Sequence, residues 1–139
     1  MIYKFYDTCS LLLEANHLFD DLDNKKIVIS SISLQELEDI KTSANKDAET
    51  KYSARKLLNL FSTHKKDYEV WIFKDEMLNP IVEKGFTHIN NDLKILATAF
   101  DYDYYKHPDE TVFVTNDLAL QAIANCFFGE DSIEAVNEE

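Results

Sequence analysis

The sequence predicts an α/β domain whose mainly parallel central sheet, four to five strands wide, is covered by helices on both faces. Three observations lead there. The runs IYKFY, KKIVISS, YEVWIF and TVFVT are short, largely apolar and rich in β-branched and aromatic residues, as strands buried on both faces are. Between them lie stretches whose apolar residues recur at helical spacing, and strands alternating with helices form parallel sheets through right-handed crossovers. The chain has 139 residues, 45% of them hydrophobic, with two Gly, two Pro and no linker, repeat or low-complexity tract. That suffices for one core, so residues 1–139 are expected to make a single domain.

Residues 2–6 open the chain as a strand. From Thr8 to about Asp20, Leu11, Ala15, Leu18 and then Leu22 recur as on a helix. KKIVISS gives the second strand, and SISLQELEDIKTS a helix with Leu34, Leu37 and Ile40 or Lys41 on one side. The next helix runs from about Asn45 to His64 on the stripe Ala54, Leu57, Leu58 and Phe61, with Lys65 and Lys66 complementing its C-terminal dipole. YEVWIF is the third strand, and residues 74–90, which contain Pro80 and Gly85, read as irregular. NNDLKILATAFDYDYY is helical, carrying Leu93, Leu96, Ala97 and Phe100 on one face. His107, Pro108 and Asp109 make a turn, TVFVT a strand, and NDLALQAIANCFF a helix closed by Gly129. Residues 132–136 form a short last strand.

The N-terminus lacks a basic segment followed by a long apolar run, so no signal peptide is expected, and no run approaches the length of a membrane span. Cys9 and Cys126 are too few for a disulfide framework and suit a reducing, cytoplasmic setting. The net charge of −12 sets the chain apart from basic nucleic-acid binders and repels phosphate at long range. It points to a solvating surface, or to neutralisation by divalent cations or a basic partner.

Four acids stand out. Asp7 ends the first strand, where it can cap the following helix. Glu36 follows Ser33 by three residues, the spacing of a capping box. Asp92 lies in a helix's first turn, and Asp117 follows FVTN at another helix start. Taken singly, each is readily structural. Asp7, Glu36 and Asp117 each follow a strand closely, however, so a parallel sheet gathers them at its carboxyl edge, where active sites of such folds lie. The helix opened by Asp92 can deliver a fourth. Gathered carboxylates repel one another, and a hard divalent cation with a preference for oxygen, such as Mg²⁺ or Mn²⁺, relieves that cost.

The stretches FYDTCSLL, ISLQELEDIK, NNDLKILATA and VFVTNDLALQ resemble the successive acidic motifs of PIN-domain nucleases, in order and in strand–helix context, over nearly the whole chain. The second and fourth look most like PIN domains fused to PhoH-type ATPases, although this chain has no ATPase and no Gly-rich phosphate loop. The resemblance implies a PIN-like three-layer α/β/α sandwich. It implies Asp7, Glu36, Asp92 and Asp117 as metal ligands and catalytic acids, with Thr115 and Thr8 supporting them and Ser10 another small polar residue after the first acid. Cys9 departs from the Ser or Asn common in that stretch. The expected activity is metal-dependent phosphodiester hydrolysis by an endoribonuclease, on single-stranded or structured RNA, using Mg²⁺ or Mn²⁺ and leaving 5′-phosphate and 3′-hydroxyl ends. The alternatives are a non-catalytic PIN-like module that binds RNA or a protein, and a toxin-type nuclease restrained by a basic antitoxin. A homodimer is a further candidate assembly.

Lys51 and Arg55, with Lys46 and Lys56, are the candidate phosphate-contacting strip, against the plainer reading of a solvated helix face. Tyr102, Tyr104 and Tyr105 could stack on bases, but interleaved Asp101 and Asp103 favour packing roles. The four His residues have no zinc-ligand spacing with the cysteines, and no Walker motif or nucleophile elbow is present. Phosphoaspartate chemistry fits poorly. A haloacid-dehalogenase-type phosphatase would want an Asp where Cys9 stands, and a receiver domain finds only a weak match in Asp75.

Overall fold

Successive side chains of a strand point to opposite faces, and this divides the core in two. Phe5, Val28 and Phe113 face one layer, whereas Tyr6, Ile27, Ile29, Val112 and Val114 face the other. In a computed structural model describing residues 1–106 and 109–136, these side chains belong to the strands β1 (Ile2–Tyr6), β2 (Lys25–Ser30) and β4 (Glu110–Val114). Strands β3 (Tyr68–Trp71) and β5 (Ile133–Glu134) complete a five-stranded sheet of order β3-β2-β1-β4-β5. Every pairing is parallel, with Phe5 opposite Val28 on one side and Phe113 on the other.

Helices cover both faces, as a parallel sheet requires. On one side pack α1 (Thr8–Leu13), α2 (Ser31–Thr42) and α3 (Ala48–Thr63) through Leu11, Leu37, Ala54, Leu57 and Phe61. On the other lie α4 (Asn79–Glu83), α5 (Asn91–Lys106) and α6 (Leu118–Ala124), through Ile81, Leu93, Leu96, Leu120 and Ala124. The three-layer α/β/α architecture expected from the sequence is the one observed. Tyr102 is core and its hydroxyl donates to Glu69 Oε1 at 2.9 Å, while the Tyr104 and Tyr105 rings meet edge to face on the surface.

Several boundaries differ from expectation, each for a local reason. α1 stops at Leu13, and residues 14–24 form successive turns, although Ala15 and Leu18 are still buried. Side chains of this segment bond locally, His17 with Asp20 and Asn24 with Asp21, and thereby compete with a helix. α2 is capped by Ser30, whose Oγ accepts from Ile32 N–H at 3.1 Å, so Ser33 lies inside the helix and the expected Ser33–Glu36 capping box does not form. α3 starts at Ala48 because Asp47 caps it, and Lys65 and Lys66 fall beyond its end. Phe73 lies outside β3, its N–H donating to Ser31 Oγ at 2.9 Å. Part of the stretch expected to be irregular is ordered, as a 3-10 turn over Asp75–Leu78 and then α4, with Pro80 in the first helical turn. α6 ends at Ala124, and Gly129 precedes a 3-10 turn rather than closing the helix. Two residues of the expected 107–109 turn lie outside the described residues.

Candidate active site at the carboxyl edge of the sheet

β1 and β4 are neighbours, so the residues after them emerge side by side. The Asp7 N–H donates to the Val114 carbonyl at 3.1 Å, which ties the end of one strand to the other. Asp7 is buried, at 4% exposure. Its Oδ1 accepts from Ser10 N–H at 2.8 Å and caps α1; its Oδ2 accepts from Thr115 Oγ1 at 2.5 Å. The capping role and the site position thus coincide in one side chain. Thr115 also accepts from Asp117 N–H at 3.1 Å, and its carbonyl accepts from Gln121 Nε2 at 2.8 Å. Asp117 in turn caps α6 by accepting from Leu120 N–H at 3.1 Å.

The third acid arrives from α2. Thr8 Oγ1 donates to Glu36 Oε1 at 2.7 Å and lies 3.1 Å from Ser33 Oγ, which links the residue after Asp7 to the helix following β2. Asp92 is half-buried at the start of α5, where Asn90 Oδ1 accepts from Leu93 N–H at 2.9 Å. Burial pushes the Asp92 carboxyl above the usual carboxylate range, and the negative charges of Asp7, Glu36 and Asp117 push it further in the same direction. Cys9 reports the same field. Its thiol is raised by burial and then by Asp7, Asp92 and Glu36, with Lys46 opposing. Four acids separated in sequence therefore share one electrostatic neighbourhood. Among the described residues, no three His, Cys, Asp or Glu side chains converge closely enough to hold a metal ion as they stand.

A cleft of about 310 Å³ opens beside Asp92 and Asp117, walled by Phe86, Leu93, Leu120 and Ile123, with His88 and Asn90 also lining it. Neither Lys51 nor Arg55 lines this cleft. Arg55 is exposed on α3, Lys51 is half-buried there, and the ammonium of neighbouring Lys56 donates to the Asn16 side chain. Lys46 is the cation whose field reaches the residue after Thr8. Sequence reasoning missed the polar links made by Ser33 and Gln121. A signal was available, because Ser33 shares a helical face with Glu36, and Gln121 with Asp117. It also missed the 85–90 loop as a cleft wall, for which no periodicity exists to read.

A family model described as "PIN domain" matches residues 5–127. No curated protein matches the chain in sequence. Solved structures similar to it include VapBC2 from Rickettsia felis bound to a DNA fragment from their promoter (23% identity, 99% of this chain and 100% of that one, TM-score 0.58). PAE2754 from Pyrobaculum aerophilum is similar at 19% identity, over 96% of this chain and 83% of that one, with a TM-score of 0.60. VapBC-1 from nontypeable Haemophilus influenzae is similar at 19% identity, over 99% and 98%, with a TM-score of 0.53. At these identities the likeness is one of fold.

Proposed function

This chain belongs to the PIN-domain family, and we propose that within it the chain is a metal-dependent nuclease that hydrolyses phosphodiester bonds in RNA. The observation that carries the reading is the gathering of Asp7, Glu36 and Asp117 at the carboxyl edge of the sheet through the Thr8 and Thr115 hydroxyls, with Asp92 at the start of α5 within their field. An all-carboxylate donor set suits a hard cation, and mutual repulsion of the acids is the cost that such a cation removes. Asp7, Asp92 and Asp117, with Glu36, would hold Mg²⁺ or Mn²⁺, the ion drawing the side chains together and supplying an activated water and charge stabilisation at phosphorus.

The protein's own part is positioning. Thr115 holds one oxygen of Asp7 and the backbone of Asp117, so a single hydroxyl fixes two of the acids relative to each other. Thr8 does the same for Glu36. No side-chain nucleophile is required, because water attacks. Lys46 supplies positive charge near the cluster, while Lys51 and Arg55 would contact phosphates farther along the strand.

The test is cleavage of end-labelled single-stranded RNA with Mg²⁺ or Mn²⁺, comparing wild type with Asp7→Asn and Asp117→Asn after thermal melts establish that all are folded. Cleavage by wild type alone supports the reading. Equal cleavage by folded variants removes it.

A second reading, a nuclease restrained by a basic protein partner, is favoured by the net charge of −12. It predicts that the isolated chain is active and that a basic partner covering the acidic edge suppresses cleavage.

A further inference from the structure

We infer that the cleft beside Asp92 and Asp117 is a subsite for one unpaired nucleobase of the substrate strand, next to the phosphodiester that is cut. The inference rests on the nuclease reading above and adds to it what the strand presents to the protein.

Position comes first. Asp92 and Asp117 belong both to the acidic cluster and to the wall of the cleft. A phosphate engaged by the cluster therefore leaves the adjoining nucleotide at the cleft mouth. Lining comes second. Phosphate chemistry has no use for apolar surface, yet the part-exposed Phe86 and Ile123 present one here, backed by the core residues Leu93 and Leu120. The base is the part of a nucleotide that presents broad apolar faces, and aromatic side chains stack on such faces. Because the base is uncharged, it can also sit in an acidic surrounding that repels the backbone. Size comes third. At about 310 Å³ the cleft is at the lower end of ligand-sized pockets, which run from roughly 300 to 1,000 Å³. That suits one base splayed out of a single strand, as sequence-reading RNA proteins require, and not a stacked pair.

The wall is also held in shape. Gly85 adopts φ +101°, a conformation that side chains rarely tolerate, and its N–H donates to the Val82 carbonyl at 2.9 Å. Phe86 N–H donates to the Ile81 carbonyl at 3.4 Å, so the turn that ends α4 sets where Phe86 stands. Asn90 Oδ1 is occupied by the Leu93 N–H, which leaves its amide group as a donor; with His88 it suits the acceptor atoms along a base edge.

The test uses a single-stranded RNA and copies of it carrying one abasic nucleotide at successive positions, cleaved in Mn²⁺ with the cut sites mapped. Wild type is expected to avoid the cut whose flanking nucleotide lacks a base, by about five- to 150-fold, the range of one base–aromatic stack. Phe86→Ala and His88→Ala should both weaken that avoidance. His88 is exposed, so its variant reports even where loss of Phe86 disturbs folding. A binding arm, with adenosine 5′-monophosphate and ribose 5-phosphate compared by NMR in Ca²⁺, should show base-dependent shifts at Phe86, His88 and Ile123. Cleavage by wild type that ignores the abasic position, or equal shifts with the two phosphates, overturns the subsite while leaving the nuclease in place. A folded wild type that cuts no RNA in Mg²⁺ or Mn²⁺ overturns the nuclease reading, and the subsite falls with it.

Discussion

Replacing Thr115 by Val keeps the shape of a fully buried side chain and removes one hydroxyl. That hydroxyl donates to Asp7 Oδ2 at 2.5 Å and accepts from Asp117 N–H at 3.1 Å. The first bond ends on a carboxylate that is itself 4% exposed, so water cannot easily replace it. Hydrogen bonds to charged groups contribute about 1.5–3 kcal/mol net. The second ends on an N–H at the start of α6 beside an exposed residue, where water can substitute, and adds about 0.5 kcal/mol, the lower end for a neutral bond. Together they predict a loss of about 2–3.5 kcal/mol for Thr115→Val in urea denaturation with a chelator present. Thr115→Ser keeps the hydroxyl and gives up one buried methyl, a loss of about 1 kcal/mol. Pairing Thr115→Val with Asp7→Ala in a double-mutant cycle should give a coupling of about 1.5 kcal/mol or more. If Val is no worse than Ser, or the coupling is under about 0.5 kcal/mol, the hydroxyl does not hold Asp7 and its positioning role is wrong.

Four shorter predictions accompany it. In a chelator, Asp92→Asn should be more stable than wild type, because ionised Asp92 is disfavoured by burial and by its acidic neighbours. A carboxyl raised by folding stabilises while protonated, so wild type should lose ground as pH rises from the ordinary 3.8 through the raised folded value; a gap between the two proteins that does not change with pH refutes this. Glu36→Gln retains an oxygen to accept from Thr8, so its melt should shift by less than about 1 kcal/mol while cleavage is lost, and a destabilised but active variant reverses the assignment. Lys46→Ala should weaken RNA binding in Ca²⁺ more than Arg55→Ala, each lowering the salt slope by at most about 0.7 on a single strand; the opposite order moves the strand path onto α3. Gly85→Ala should cost about 1–2 kcal/mol in denaturant melts from its φ of +101° alone, since an added Cβ would meet nothing within 4 Å, and a neutral result would remove the argument that this turn fixes Phe86.

The layers of the fold were legible because burial writes a period into the sequence. Phe5 and Tyr6, or Ile27, Val28 and Ile29, are apolar at every position because both faces of the sheet are covered. α5 was legible for the same reason, its Leu93, Leu96 and Ala97 lying on one stripe. Element ends were harder to read, because a cap is a choice among neighbouring hydroxyls and acids. Ser30 and Ser33 are both plausible caps in sequence. The backbone of Ser30 is extended at the end of β2, and that settles which one bonds the free N–H groups. Residues 14–24 illustrate the converse, since Ala15 and Leu18 are buried without a helix to space them.

The candidate site was readable as a set of acids, and not as a mechanism for holding them. The sequence offers Asp7 as a helix cap and Asp117 as a helix start, and both are caps; the geometry adds that one Thr115 hydroxyl bridges the two. A capped helix start faces its carboxylate toward backbone N–H groups, which is also what keeps that carboxylate at the sheet edge beside other acids. The structural role therefore does not compete with the proposed catalytic one. It is the means by which a chain of net charge −12 can bring repelling side chains together before any cation arrives. Asp92 is the exception, since Asn90 takes over the capping of α5 and the Asp92 side chain makes no hydrogen bond among the described residues. It is also the acid whose carboxyl carries the upward shift. Freed of a capping duty and opposed by three neighbours, Asp92 has the most to gain from a cation, so Mn²⁺ should raise the melting temperature of wild type more than that of Asp92→Asn. An equal rise in both proteins would place the ion away from this edge of the sheet.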